Sequence, residues 1–245
     1  MKFYEFGTDN NRKLLLIHGM STTWKMSFGE FIEKAQGKFH IIAVALDGHN
    51  LEEDTELISV VEEAQKLESY LLKKHNGEVD IIYGSSLGGT VVLHMLMRNK
   101  VKVTTAICDG TMMLNYGILA KPMAKFMASV SSKMAKGEAK FMMKLMGIES
   151  KEVLEQKMYT GASKTTIYNS CMGCYAADIP ENYSDATDIH LWYGSKETEP
   201  PKFATKLKKR DAKVHIKVFE NYGHGSLLEY PDELLREIMR ASKEQ

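Results

Sequence analysis

The sequence predicts a doubly wound α/β fold that is built on a mostly parallel β-sheet. Short aliphatic and β-branched runs alternate along the chain with longer segments of helical spacing, and each run stops at Gly or Asp. Most of these runs are apolar throughout, which is typical of strands that helices cover on both faces of a sheet. The chain has 245 residues, of which 44% are hydrophobic, so one large domain can bury a core.

Seven segments are predicted to form the strands of this sheet. They are an edge strand at 2–6 and the buried runs at 13–19, 40–48, 79–85, 103–110, 188–195 and 213–223. Amphipathic spacing predicts helices between the strands, over 24–36, 54–75, 87–99, 202–210 and 226–242. We expect Ser226 to be the N-cap of the last helix.

The alternation breaks from about residue 111 to 187, where no strand is predicted. Apolar residues there keep helical spacing in two groups: Met123, Phe126, Met127, Val130 and Met134, then Phe141, Met142, Leu145 and Met146. We therefore expect a helical cap at 111–187, inserted in a core formed by 1–110 and 188–245. The cap holds ten of the sixteen methionines, and its part from 111 to 147 carries six lysines against one glutamate, a local charge of +5.

Two interpretations of the cap remain open at this point. In one, the methionines form a small core of the cap itself and the lysines lie on its solvated face. In the other, the cap is mobile and its methionine-lined underside holds an acyl chain, because methionine adapts to apolar partners of variable shape. The basic face could then meet an anionic group or a membrane surface. Both interpretations can hold together.

Charge and composition exclude several classes of protein. The 32 Lys and Arg residues balance 32 Asp and Glu residues, so the basic surface that binds a nucleic-acid backbone is not expected. The N-terminus lacks the apolar region of a signal peptide, and no run approaches the roughly 18 apolar residues that suggest a membrane span. We therefore expect a cytoplasmic protein without an integral membrane segment.

The three cysteines predict neither a disulfide framework nor a metal site. Their odd number, in a chain with no export signal, argues against disulfides. Cys171 and Cys174 form a Cys-x-x-Cys pair, which could be redox-active or half of a metal site. Since no second cysteine pair or well-spaced histidine pair would complete a tetrahedral site, two thiols on a helix without such a role are favoured. No metal or organic cofactor is expected.

The clearest chemical signal is the segment GSSLG at 84–88. It fits the Gly-x-Ser-x-Gly pattern of a nucleophile elbow, in which a strand turns sharply into a helix and exposes the central serine. The flanking residues must be glycines because a side chain would collide with the neighbouring strand or helix in so tight a turn. The apolar strand VDIIY precedes the match and the helical TVVLHMLM follows it. Ser86 is therefore the predicted nucleophile.

A nucleophilic serine needs a base. The predicted base is His224, which lies in a glycine-flanked loop after the last strand, at the same sheet edge as the elbow. Other histidines are less suitable by position: His75 is expected at the exposed end of a helix, His94 on the elbow helix, and His190 and His215 within strands.

The base in turn needs an acid that orients it. The predicted acid is Glu197, which follows the preceding strand in a Gly-x-x-Glu turn. The order Ser86, Glu197, His224 is the chain order expected with an elbow of this kind. Glu199, close by, and Asp109, at the end of another strand, remain alternatives.

The oxyanion hole is expected to combine two backbone N–H groups. One is that of Leu87, directly after the nucleophile, and the other comes from the loop that carries HGM at 18–20. In that loop the N–H of Met20 is the better candidate, and that of Ser21 is the second. The assignment is a geometric inference, because backbone donors leave no trace in side-chain identity.

Together these motifs resemble those of the α/β-hydrolase superfamily over nearly the whole chain. The resemblance is carried by IHGM at 17–20, DGHN at 47–50, YGSSLGG at 83–89, YGSKE at 193–197 and YGHG at 222–225. It implies a sheet of eight strands or slightly fewer, with a cap inserted after the sixth strand. Two features depart from the usual pattern. The acid is glutamate where most relatives have aspartate, which alters its reach but not its role, and Asn50 stands where a small residue is more usual.

We expect a serine hydrolase that cleaves a carboxylic ester or thioester through an acyl-enzyme on Ser86. The same constellation also serves peptidases, C–C bond hydrolases and acyltransferases, and a low-turnover ligand-binding module is a further alternative. The expected partner is a small-molecule acyl substrate. Peripheral membrane contact through the basic cap is compatible with the sequence. The sequence does not indicate the oligomeric state.

Overall fold

A seven-stranded sheet forms the centre of the molecule. Its strands are β1 Lys2–Phe6, β2 Lys13–Ile17, β3 His40–Ala45, β4 Glu78–Ser85, β5 Lys102–Asp109, β6 Asp188–Gly194 and β7 His215–Phe219. The computed structural model describes residues 1–50, 52–145, 149–178, 186–211 and 213–243. The strand order is β1-β3-β2-β4-β5-β6-β7, with β1 antiparallel at one edge and the other strands parallel. The predicted fold class is confirmed.

Helices cover both faces of the sheet. They are α1 Trp24–Ala35, α2 Val60–Lys74, α3 Leu87–Arg98, α4 Ala120–Ala135, α5 Lys140–Leu145, α6 Lys151–Lys157, α7 Lys164–Tyr175, α8 Glu199–Arg210 and α9 Pro231–Ala241. Helices α1 and α9 pack on one face, and α2, α3 and α8 pack on the other. Neighbouring residues of a strand, such as Leu14 and Leu15, therefore belong to different cores, which explains the continuously apolar runs. No described helix is both long and apolar enough to cross a membrane.

Helix α2 differs from its prediction at both ends. It begins at Val60 rather than at residue 54, because the Oγ of Ser59 accepts the N–H of Glu62 and caps the helix there. At the other end, the C-cap residue His75 has only 6% of its surface exposed, so the expectation of an exposed histidine is wrong. Its ring packs edge-on against His40 at the start of β3, which buries it.

The last helix begins at Pro231, five residues after its predicted N-cap. Ser226 instead opens a 3₁₀ turn, Ser226–Glu229, and its Oγ accepts the N–H of Gly223. The helix cannot run through from this turn, because Tyr230 precedes a proline and is held out of the α region, at φ −123° and ψ 72°. The prediction of Ser226 as an N-cap is therefore wrong.

The segment between β5 and β6 contains α4 to α7 and no strand in its described residues. It follows the fifth strand of the chain rather than the sixth, because the described residues form a sheet of seven strands rather than eight. Met134 and Met143 pack with Leu154 in one small core, and Met123, Met127 and Met172 pack with α4 and α7 in another. Of the methionines used to predict this segment, Met146 and the side chain of Met142 lie outside the described residues, as does the side chain of Leu145.

Candidate active site

The turn from β4 into α3 holds Ser86 in a strained conformation. Its φ of 52° and ψ of −114° lie outside the regions that L-residues favour. A Cβ on Gly84 would lie 2.6 Å from the backbone of Gly88, and one on Gly88 would lie 2.2 Å from the carbonyl oxygen of Ile17. The two glycines are thus sterically required, and the turn presents Ser86 at the carboxyl edge of the sheet.

The side chains of Ser86, His224 and Glu197 form one chain of polar contacts. The Nε2 atom of His224 lies 3.0 Å from the Oγ of Ser86, and its Nδ1 atom lies 2.6 Å from the Oε2 of Glu197. The Oε1 of Glu197 accepts the N–H of Gly194 at 2.8 Å. The side chain of Glu197 is 4% exposed and that of His224 is 56% exposed. An enclosed carboxylate therefore fixes an imidazole whose other nitrogen faces the serine.

Hydrogen bonds donated by backbone N–H groups join the loops that carry the acid and the base. The N–H of Lys196 donates to the carbonyl oxygen of Tyr222 at 3.0 Å, and the N–H of Asn221 donates to the Oγ of Ser195 at 2.8 Å. The loops follow β6 and β7, which are parallel neighbours, so both emerge at the same sheet edge. Their relative position depends on the backbone rather than on long side chains.

Two carboxylates affect the protonation of His224. The hydrogen bond to Glu197 is the main cause that raises the pKa of His224 above its ordinary value, and the charge of Asp109 acts in the same direction, while burial opposes both. A raised pKa makes the imidazole a stronger base towards the serine hydroxyl. It also means that a higher pH is needed to keep the ring neutral.

The two alternative acids have other partners. Asp109 is buried, with 5% of its surface exposed, and accepts the hydroxyl of Tyr83 at 2.5 Å. Burial raises the pKa of Asp109 to about 6, and the hydrogen bond from Tyr83 opposes that rise. Glu199 opens α8 and contacts Tyr116 at 2.9 Å and Lys202 at 2.6 Å. Among the described carboxylates, Glu197 is the one that hydrogen-bonds to the imidazole.

The two expected oxyanion donors belong to the residue after Ser86 and to a loop that packs against Ser86. Leu87 is the first residue of α3, so its N–H has no partner within the helix. Met20 lies in the loop after β2, where a Cβ on Gly19 would come within 3.4 Å of the Ser86 Cβ. This loop is held by the buried ring of His18, whose Nδ1 contacts the carbonyl oxygen of Gly19 at 2.8 Å and whose Nε2 accepts the N–H of Leu46.

A cleft of about 860 Å³ opens above Ser86. Its apolar lining includes Met20, Met26, Met158 and Leu228, and charged side chains, among them Lys25, Glu30, Lys157 and Glu229, also border it. Among the described methionines of the segment between β5 and β6, Met158 is the one that lines this cleft. Most of the described methionines of that segment therefore pack within it rather than over the serine.

Sequence reasoning missed the role of Gly110. This residue follows β5 at a φ of +59°, and a Cβ there would lie 3.0 Å from both Cε1 and Nδ1 of His224. The N–H of Gly110 donates to the carbonyl oxygen of Trp192, which holds the turn against β6. The signal was present in the sequence as Asp-Gly at a strand end, but in a sequence a glycine that only forms a turn cannot be distinguished from one that packs beneath the ring of the expected base.

The cysteine pair lies on α7, as the sequence predicts, and both thiols are free. Burial raises the pKa of Cys171 to about 12 and that of Cys174 to about 11, so both are protonated near neutral pH. Cys171 contacts the sulfur of Met20 at 3.9 Å, and Cys174 contacts the hydroxyl of Thr90 at 3.7 Å. Through these contacts, α7 packs against α3 and against the loop after β2.

Comparison with known proteins decides the family. A model of the alpha/beta hydrolase family matches residues 14–237, which is most of the chain. The chain belongs to the alpha/beta hydrolase family. It is thus an enzyme of the hydrolase type. No curated protein sequence matches this alpha/beta hydrolase.

Solved structures share the fold of this alpha/beta hydrolase. An alpha/beta hydrolase family protein from Desulfitobacterium hafniense is 24% identical, with a TM-score of 0.82 and coverage of 98% of both chains. A carboxylesterase from Nitrososphaera gargenis is 14% identical, with a TM-score of 0.77, and the match covers 100% of this chain and 96% of that one. A thermophilic esterase from Thermogutta terrifontis is 18% identical, with a TM-score of 0.74 and coverage of 98% and 93%.

Proposed function

We propose that this hydrolase cleaves a carboxylic ester or thioester through an acyl-enzyme on Ser86. The observation that carries the proposal is the contact chain from Ser86 through His224 to Glu197, with distances of 3.0 Å and 2.6 Å. These are the distances over which a base removes a serine proton and a carboxylate holds the ring in one tautomer. The esterases among the structural neighbours support the same reaction class.

In the proposed acylation, the Oγ of Ser86 attacks the acyl carbon while its proton passes to the Nε2 of His224. Glu197 stabilises the imidazolium that forms, and the N–H groups of Leu87 and Met20 donate to the oxyanion. When the tetrahedral intermediate collapses, the bond to the alcohol or thiol breaks and His224 returns the proton to that leaving group. A water molecule then repeats the sequence on the acyl-enzyme and releases the acid. Losing one oxyanion donor costs about 2.7–4 kcal/mol of transition-state stabilisation in such sites.

The mixed lining of the cleft favours an acyl group of short to medium length. Its apolar side chains, Met20, Met26, Met158 and Leu228, accept a hydrocarbon, whereas the charged side chains at its border disfavour a long one. Peptidase, C–C bond hydrolase and acyltransferase activities would use the same three side chains. They differ in the bond that breaks or in the acceptor, so the substrate class must be tested directly.

The test is hydrolysis of p-nitrophenyl esters of two to twelve carbons by the wild type and by Ser86→Ala. We expect one optimal chain length in the wild type and no turnover in Ser86→Ala, with an unchanged melting temperature. Ser132→Ala, on α4, is the control for loss of a serine and should keep full activity. A fluorophosphonate should label the wild type once, at Ser86.

Two outcomes would contradict the proposal. Retained ester hydrolysis by purified Ser86→Ala would remove Ser86 from the mechanism. Ligand-induced stabilisation without turnover or fluorophosphonate labelling would support the low-turnover binding module instead.

We further propose that the segment between β5 and β6 contacts a membrane surface. Four of its large apolar side chains are strongly exposed: Ile118 at 93%, Leu119 at 58%, Phe126 at 62% and Phe141 at 79%. They stand among the lysines that give residues 111–147 a local charge of +5. Exposed apolar side chains beside lysines fit an interface with anionic lipid. A cytoplasmic location stays a prediction.

Sedimentation with vesicles tests this contact. We expect binding to vesicles that contain phosphatidylserine at low salt, and loss of that binding at high salt, because salt screens the lysines. Phe126→Ser should weaken it, whereas Ile58→Ser, an exposed isoleucine outside the segment, should not. Vesicle binding that is the same at low and high salt, and that neither substitution weakens, would contradict the proposal.

A further inference from the structure

Two histidines and a glutamate meet at the sheet edge that lies away from Ser86. Glu5 belongs to the edge strand β1, His40 is the first residue of β3, and His75 is the C-cap of α2. One donor atom from each of the three lies within 4.8 Å of the others. Strands β3 and β4 both run parallel to β2. The start of β3 and the nucleophile elbow, which follows the end of β4, therefore lie at opposite ends of the strands.

The contacts within this cluster leave one nitrogen, the Nε2 of His75, without a hydrogen-bond partner. The Nε2 of His40 lies 2.5 Å from the Oε2 of Glu5, which is a hydrogen-bonded pair. The Nε2 of His75 lies 3.5 Å from the Oε1 of the same carboxylate, yet it makes no hydrogen bond and is buried. A buried polar atom without a partner is costly, so a group that occupies this position would remove the cost.

We propose that Glu5, His40 and His75 bind a divalent transition-metal ion of the Zn²⁺ class. Two imidazole nitrogens and one carboxylate oxygen form a donor set that Zn²⁺ accepts, with a water molecule as the fourth ligand. Donors around a tetrahedral zinc ion stand about 3.4 Å apart, given bonds of about 2.1 Å. The His75 nitrogen already lies 3.5 Å from the Oε1 of Glu5, while the Oε2 of the same carboxylate faces His40. The ion takes the position of the proton that His40 and Glu5 share, and that pair opens by about 1 Å.

The surroundings favour metal binding over a simple ion pair. The ring of His75 is buried, and its Nε2 atom faces the carboxylate of Glu5 without a hydrogen bond to it. The hydroxyl of Tyr70 donates to the Oε1 of Glu5, and the Tyr70 ring stacks on Phe3 of β1 at 3.6 Å between centroids. Such an outer hydrogen bond orients a ligating carboxylate. The ion would tie the edge strand to the end of α2, at the end of the strands away from Ser86, so its expected effect is on stability and not on ester hydrolysis.

A second cluster, of two histidines and an aspartate, lacks the unpartnered atom. Asp188 bridges His190 at 2.9 Å and His215 at 3.0 Å, with one carboxylate oxygen for each ring. Both imidazole rings of this second cluster are thus already paired with the carboxylate of Asp188. The His215 ring is half exposed and can be changed without touching the proposed metal site, so it provides a matched control.

The test is titration of metal-free protein with ZnCl₂ by calorimetry, with the melting temperature as a second readout. We expect one Zn²⁺ per chain and a melting temperature that rises with the logarithm of free zinc. His40→Gln and Glu5→Gln, which change partly exposed side chains, should lose at least about 100-fold in affinity, and Tyr70→Phe should lose about 10–100-fold. His215→Gln should bind as the wild type does. Co²⁺ should give the intense visible absorption of a four-coordinate site in the wild type and in His215→Gln, but not in His40→Gln or Glu5→Gln.

Ester hydrolysis should be the same with and without EDTA, which separates this site from the proposed catalytic one. Failure of Zn²⁺ to raise the melting temperature of the wild type would overturn the proposal. So would zinc binding that survives both His40→Gln and Glu5→Gln, since the ion would then lie elsewhere. His75→Gln is informative only if it folds, and the conclusion does not depend on it.

Discussion

Replacing Gly110 by alanine should displace the base of the proposed active site without changing any polar group. The new Cβ would lie 3.0 Å from Cε1 and Nδ1 of His224 and 3.4 Å from the Oε2 of Glu197. Carbon atoms in ordinary contact are 3.5–4.0 Å apart, so the ring must move by about 0.5–1 Å. The movement is away from β5 and acts directly on the 3.0 Å contact between His224 and Ser86.

The magnitude follows from the size of this displacement. A misplacement of about 1 Å in a catalytic constellation costs about 10²-fold in rate, which corresponds to about 2.7 kcal/mol of transition-state stabilisation. The same substitution also costs about 1–2 kcal/mol of folding stability, because Gly110 has a φ of +59° that alanine adopts poorly. We therefore expect kcat for the best p-nitrophenyl ester to fall about 100-fold while KM changes little.

Gly117→Ala separates these two effects. Gly117 has nearly the same φ, +57°, but a Cβ there meets nothing within 4 Å. It should lose a similar free energy of unfolding in urea and keep full activity. If Gly110→Ala matches Gly117→Ala in both stability and kcat, then His224 does not act from the position described, and the reasoning is refuted.

Three further predictions concern the carboxylates around His224. Glu197→Gln should lower kcat by about 10³–10⁴-fold because the ring loses its charged partner, whereas Glu199→Gln should leave kcat unchanged; equal losses would contradict the assignment. The rate should rise with pH through a pKa above 6.5, since the hydrogen bond to Glu197 raises the pKa of His224 and the base must be neutral. In Glu197→Gln this limb should move to lower pH, and a limb that stays in place would exclude His224 as its source. Tyr83→Phe should lower the free energy of unfolding in urea by about 1–3 kcal/mol, because it removes the hydrogen bond to the buried carboxylate of Asp109. The loss should be larger at pH 8 than at pH 5, since the hydrogen bond stabilises the charged form of Asp109, whose pKa is about 6. A loss independent of pH would show that Asp109 is not the cause.

The parts of the fold that depend on local pattern were predictable. Strand runs such as 13–17 and 40–45 are apolar because both faces of the sheet are covered, and this signal needs no knowledge of distant contacts. The elbow was predictable for a similar reason, since its two glycines are required by the turn itself. Helix starts were less predictable where a cap competes with periodicity, as at Ser59 and at Tyr230 before a proline.

Features that depend on distant residues were not predictable from one sequence. The burial of His75 results from its packing against His40 and Tyr70, which only the pairing of β1 with β3 and the course of α2 bring together. Sequence spacing gives no sign that Glu5 completes this cluster. The same applies to Gly110, whose neighbours His224 and Glu197 follow other strands.

The choice between Glu197 and Asp109 shows how packing settles what a pattern leaves open. Both carboxylates follow parallel strands and emerge at the same edge, so strand position alone cannot separate them. Asp109 ends β5, a strand further from the sheet edge than β6, and its carboxylate already accepts the hydroxyl of Tyr83. Glu197 has one more methylene than aspartate, and its loop is joined by backbone hydrogen bonds to the loop of His224, so it reaches the imidazole while still accepting the N–H of Gly194. Asp109 then acts on His224 through its charge, which is lost as its pKa of about 6 is approached from above. The acid side of the pH profile should therefore depend on two carboxylates, of which one contacts the ring.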